Sequence, residues 1–117
     1  MEIASLQNHR YAQCGKFYDV SLDGTHEKGL ISYETKIIIK RGSRVIYTGS
    51  YSRTTSRQVS WYLMEDRDGL TWDILKKMEK DDMAFNLSTR EFEPLTDKEK
   101  AEIKRIRQAA FRWGYGW

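Results

Sequence analysis

Cysteine, proline and histidine are nearly missing from this chain. Its 117 residues include one cysteine, Cys14, one proline, Pro94, and two histidines, His9 and His26. A lone thiol excludes an intrachain disulfide and fits a reducing compartment. One thiol and two imidazoles without ligand spacing make no zinc-type site, and nothing orients His9 as a base for Cys14, which reads as a small hydrophobe. With so little proline and no low-complexity tract there is no linker, so residues 1–117 read as a single domain. No apolar run approaches the length of a membrane span. The opening MEIASLQNHRYAQ lacks the charged start and apolar core of a signal peptide, so the chain is expected to be cytoplasmic. No glycine-rich loop sits between a strand and a helix to cradle phosphate, and no cofactor is expected.

A further lack is local. Between Thr35 and Met64 there is no acidic side chain, but there are six basic ones: Lys36, Lys40, Arg41, Arg44, Arg53 and Arg57. Residues 65–82 are net acidic, and the C-terminal stretch 95–117 is basic again. The whole chain carries +3 with a pI near 9.0. A one-signed surface attracts a partner of the opposite sign. What the chain has in plenty is aromatic side chains, 13% of residues, enough to anchor a core or an interface.

Alternation over 16–22 places Tyr18, Val20 and Leu22 on one side of a strand, and Asp23-Gly24-Thr25 supplies turn chemistry before a polar loop to Gly29. Residues 31–40 and 44–51 read as a hairpin. With Arg41-Gly42-Ser43 as its loop, Lys40 opposes Arg44, Ile39 faces Val45, Ile37 faces Tyr47 and Tyr33 faces Tyr51. Lys36, Lys40 and Arg44 then share a solvent face with Ile38 and Ile46. Thr55 to Gln58 fits a capping box, opening a helix to about Asp66 with Val59, Tyr62 and Leu63 inward; a strand over 59–64 is the other reading. A second helix spans about 72–81 with Ile74, Leu75 and Met78 inward, and Met83, Phe85 and Leu87 alternate as a short strand. Thr96 to Glu99 is another capping box, opening a basic helix from Asp97 to about Trp113 with Ile103, Ile106, Ala110 and Trp113 inward and Gly114 as its stop. Asp66, Asp68, Asp81 and Asp82 read as helix-end carboxylates.

The fold class expected is α+β, a small antiparallel sheet of three to four strands packed on two or three helices. The order strand, strand, strand, helix over 16–66 resembles double-stranded-RNA-binding domains in element order alone. The lysine cluster and loop motif of that family are not found, and no membership follows.

Two features point to binding without catalysis. The basic hairpin and its trailing hydroxyl- and arginine-rich segment, through Arg53 and Arg57, suit phosphate contacts beside a helix N-terminus. The C-terminal helix offers Lys98, Lys100, Lys104, Arg105 and Arg107, followed by Phe111-Arg112-Trp113-Gly114-Tyr115-Gly116-Trp117, whose aromatics and arginine suit base stacking or an interface hot spot. The candidate contact residues are Lys36, Lys40, Arg41, Arg44, Arg53, Arg57, Lys104, Arg107, Arg112, Tyr115 and Trp117, and the expected partner is a nucleic acid or a nucleoprotein. The alternative is a protein target. In size and lack of motifs the chain resembles small phage or mobile-element inhibitors of the anti-CRISPR type.

Overall fold

The computed structural model describes residues 2–5, 15–22, 24–32, 35–49 and 53–112. Seven antiparallel strands, in chain order, form one meandering sheet: β1 (Glu2–Ser5), β2 (Gly15–Leu22), β3 (Thr25–Ser32), β4 (Thr35–Arg41), β5 (Arg44–Tyr47), β6 (Met83–Asn86) and β7 (Glu91–Pro94). Helices α1 (Arg53–Glu65) and α2 (Trp72–Asp81) intervene between β5 and β6, and α3 (Asp97–Arg112) follows β7. The fold is α+β, as expected, with more strands than the sequence suggested. The segment expected as a polar loop before Gly29 belongs to β3, which also takes Ile31 and Ser32 from the expected strand 31–40, and β1 and β7 lie outside the expected strands. Five strands precede α1, so the likeness of element order to double-stranded-RNA-binding domains ends there.

The β4–β5 hairpin corrects the expected register. Its loop has two residues, Gly42 and Ser43, so Arg41 opposes Arg44, Lys40 opposes Val45, Ile39 opposes Ile46 and Ile38 opposes Tyr47. Gly42 takes φ +60°, the first central position of a tight hairpin turn that demands glycine. That turn shortens the loop by one residue, and a one-residue slip exchanges faces on one strand relative to the other. Lys36, Lys40 and Arg44 therefore do not share a solvent face, and Lys40 lies with Val45 and Ile38 inside the protein. Tyr33, Ser50 and Tyr51 of the expected hairpin lie outside the described residues.

A bulge makes a second change. Leu30 pairs with Ile38, but Ile31 pairs with Lys36, which leaves Ile37 as the extra residue on β4. A bulge shifts the alternation beyond it. Ile37 thus joins Ile38 and Leu30 in the main core, all at 0% exposure, while Lys36 turns to the opposite face.

Both faces of the sheet are covered. On one, α1 and α2 pack Val59, Tyr62, Leu75 and Met78 against Leu30, Ile38, Val45, Tyr47 and Phe85. On the other, Ile103 and Ile106 of α3, with Leu95, pack on Ile39 and Ile46. The second helix matches its expected span, and the Thr71 hydroxyl caps it by accepting from the Ile74 N–H at 3.3 Å. The capping box of α3 is present: Glu99 N–H donates to the Thr96 hydroxyl at 3.1 Å, and Thr96 N–H donates to the Glu99 carboxylate at 2.8 Å. The box expected at Thr55 is absent because α1 already starts at Arg53, and the Gln58 side-chain carbonyl accepts from the Ser32 hydroxyl instead. Among the described residues no helix is long and apolar enough to cross a membrane.

Candidate functional site

The hairpin cations Lys36, Lys40, Arg41 and Arg44 are met by carboxylates from β3, the segment after α1, β7 and α3. Lys40 is 2% exposed and donates to Asp66 and, at 2.6 Å, to Asp68, both just beyond α1. Burial pulls its pKa down, but Tyr62 and these two aspartates outweigh that and push it up to about 12. Held protonated and saturated with acceptors, Lys40 is no general base and no free contact for a partner. It also stands 5.2 Å from the centre of the Tyr62 ring.

Lys36 donates to Glu27 at 2.6 Å, and Arg41 Nε donates to the other oxygen of Glu27 at 2.8 Å. Arg41 also grips Glu102 of α3 with both terminal nitrogens, at 2.9 and 2.6 Å. Arg44 binds Glu99 of α3 through Nε and Nη2 at 2.6 and 2.7 Å, and Glu93 of β7 through Nη1 at 2.7 Å. Like charges directly opposite in a sheet are unfavourable. The Arg41–Arg44 cross-strand pair is stabilised because each guanidinium has its own two-point carboxylate partner on α3. The hairpin charge that dominates the sequence is thus largely neutralised inside the fold.

The remaining candidates fall in three groups. Arg57 is exposed on α1, and Arg53 opens that helix. Arg107 is half-buried and donates from Nε to the Thr48 carbonyl at 2.6 Å, tying α3 to the end of β5. Lys104 is exposed on α3, and Arg112 is the last residue of that helix. Tyr115 and Trp117 lie outside the described residues. Among the described residues, the candidates are not all on one surface: Lys40 is buried beside α1, whereas Lys104 is exposed on α3.

A cleft of about 400 Å³ lies between the C-terminal end of α1 and the β2–β4 face, lined by Phe17, Lys28, Lys40, Tyr62, Asp66 and Asp68 among others. Four of its charged groups pair with one another: Lys28 stands 3.9 Å from Asp68, and Lys40 holds Asp66 and Asp68. Among the described residues no group of His, Cys, Asp and Glu is placed to hold a metal ion.

One surface is predominantly basic. On α3 the exposed residues are Asp97, Lys98, Lys100, Ala101, Lys104, Arg105, Gln108 and Ala109. The helix's other two acids, Glu99 and Glu102, point inward onto Arg44 and Arg41. None of Lys98, Lys100, Lys104 and Arg105 has an ion-pair partner among the described residues. On α2, by contrast, exposed lysines are interspersed with Asp73, Glu79 and Asp81, and Lys77 pairs with Asp81 at 3.5 Å. The signal for this partition is present in the sequence: Glu99, Glu102, Ile103, Ile106 and Ala110 recur at helical spacing, so the acids belong to the inward stripe.

No protein-family model, curated protein or solved structure matches this chain.

Proposed function

We propose that this protein is a non-catalytic binding module for a nucleic acid or nucleoprotein, and that the contact surface is the outer face of α3. The observation that carries the reading is the sorting of charge on that helix. Its acids at positions 99 and 102 face the hairpin arginines, and Lys98, Lys100, Lys104 and Arg105 remain exposed without an ion-pair partner among the described residues. Unpaired surface cations cost little in stability and gain most from a polyanion, whose counterions they displace. In this reading Arg41 and Arg44 act indirectly: they hold the helix and neutralise its inner side, while Lys36 is paired with Glu27, and Lys40 with Asp66 and Asp68. Lys104 keeps its direct role from the sequence-based set, joined by Lys98, Lys100 and Arg105.

The test is retention on an immobilised mixture of sheared DNA and RNA. The parent is expected to bind at low salt and elute as salt rises. A variant with Lys98, Lys100, Lys104 and Arg105 all changed to Glu is expected to flow through with its melting temperature within a few degrees of the parent. Identical elution of the two proteins would remove α3 from the function. Partner capture that survives both nuclease and high salt would favour the protein-target reading instead.

A further inference from the structure

We infer that the ligand of this face is double-stranded DNA, with α3 lying in the major groove and touching the backbones of both strands; this rests on the nucleic-acid reading above. The argument starts from the angular positions of the four cations. At 3.6 residues per turn, successive side chains are rotated by about 100°. Taking the inward stripe of Glu99, Ile103, Ile106 and Ala110 as one pole, Lys98 and Arg105 fall on one flank of the opposite pole, and Lys100 and Lys104 fall on the other. Between these two rails run Asp97, Ala101 and Gln108, all exposed; Asp97 stands at the N-terminal end of the helix, ahead of all four cations, and Ala101 and Gln108 are too short to stop the longer lysine and arginine side chains from reaching outward past them.

The dimensions agree with a duplex of the B form. A helix with its side chains is about 10–12 Å across, and the B-DNA major groove is about 12 Å wide, so it admits one. Rails on both flanks would then meet phosphates on both strands. Along the axis, Lys98 and Arg105 are two turns apart, about 10 Å, which spans about three base pairs. A-form RNA has a deep, narrow major groove that does not admit a helix in this way. A single strand is gripped chiefly by stacking bases on aromatics. Here the face between residues 97 and 109 carries no aromatic side chain, and Phe17 is stacked on Trp61 at 5.6 Å.

The experiment uses the full chain and three labelled probes of one mixed sequence of about 20 nucleotides per strand, roughly two helical turns: duplex DNA, duplex RNA and single-stranded DNA. Affinities are read by fluorescence anisotropy over roughly 50–200 mM salt. Duplex DNA is expected to bind about tenfold or more tighter than either other probe, with log K against log salt falling at about −3.6 for four phosphate contacts. The rail variants K98Q/R105Q and K100Q/K104Q, all at exposed positions, are each expected to reduce that slope by about 1.8. Equal or tighter binding of duplex RNA or the single strand overturns the groove inference and leaves the nucleic-acid reading standing. A slope that responds to one rail alone overturns the two-rail geometry. No binding to any of the three probes overturns both readings.

Discussion

Arg44 and Glu99 meet through two parallel hydrogen bonds, Nε to Oε2 at 2.6 Å and Nη2 to Oε1 at 2.7 Å, and the same Glu99 Oε1 accepts the Thr96 N–H at 2.8 Å. One carboxylate therefore caps α3 and fastens it to β5. Cutting it to alanine removes the back half of a capping box and leaves Arg44 with Glu93 and the Pro94 carbonyl only. The expected cost of Glu99→Ala is about 2 kcal/mol, from a cap worth about 1 and a partly buried charge-assisted contact of similar size. At this chain length that is a fall of roughly 8 °C in melting temperature. Glu99→Gln, which can still accept from Thr96, should recover about half of it.

Lys40 gives the largest expected effect. Removing one partner of a buried ion pair costs about 3–5 kcal/mol, because the remaining charge is stranded. Lys40→Ala would leave Asp66, whose side chain is 5% exposed, without its cation. Urea unfolding should show that loss, a large share of the ~5–15 kcal/mol typical of a domain. Replacing the whole cluster, as in Lys40→Met with Asp66→Asn and Asp68→Asn, should bring stability back to within about 2 kcal/mol of the parent. If the single and triple variants are equally unstable, the lysine contributes by packing and not by charge.

Much of this architecture can be read from the chain, and the parts that cannot have identifiable causes. Residues Ile74, Leu75 and Met78 recur at helical spacing, and α2 forms where they do. Thr96 and Glu99 announce the start of α3, and both bonds of the capping box are present. The hairpin register is not legible because Gly42 supports a two-residue turn as well as a longer loop, and local sequence does not choose between them. The bulge at Ile37 appears only in the pairing with β3, where Leu30 opposes Ile38 and Ile31 opposes Lys36, and alternation along one strand does not reveal it. The largest misreading was of charge. Six cations without a nearby acid look like a free basic surface, but Glu27, Asp66, Asp68, Glu93, Glu99 and Glu102 reach four of them, Lys36, Lys40, Arg41 and Arg44, from other segments. Proximity in sequence carries no information about that neutralisation.

Gly29 is the position where a single methyl group should matter most. Its φ is +157°, and a Cβ built there would lie 1.8 Å from the Ile38 carbonyl oxygen, with the Tyr18 ring 3.1 Å away. Tyr18 is its cross-strand partner and covers the gap that a side chain would fill. Strands β3 and β4 cannot keep their pairing with alanine at this site. Gly29→Ala is expected to cost about 3 kcal/mol or more, whereas Gly24→Ala, with nothing within 4 Å of its Cβ, should cost about 1 through its φ of +78° alone. Comparable melting temperatures for the two variants would refute the close approach.

Stability should form a plateau bounded on both sides by titration. On the acid side, the bond from Arg44 lowers the Glu99 pKa and the bond from Lys40 lowers that of Asp68; burial would raise Glu27, but Lys36 and Arg41 outweigh it and lower it too. A carboxylate depressed in the folded state contributes stability that is present above its unfolded value of about 4 and is lost as pH falls below it. On the alkaline side, burial raises Tyr62 and Tyr18, while Lys40 is pushed up to about 12. Groups raised in the folded state contribute stability that is present below about pH 10 and lost as pH climbs past it. Melting temperature is therefore expected to be flat from about pH 5 to 9 and to fall outside that window. Glu99→Gln should lower the plateau and flatten the acid limb, because one of the titrating groups is gone. An acid limb as steep as the parent's would mean that the α3 clamp does not contribute to the pH dependence, and that Glu27 and Asp68 account for it.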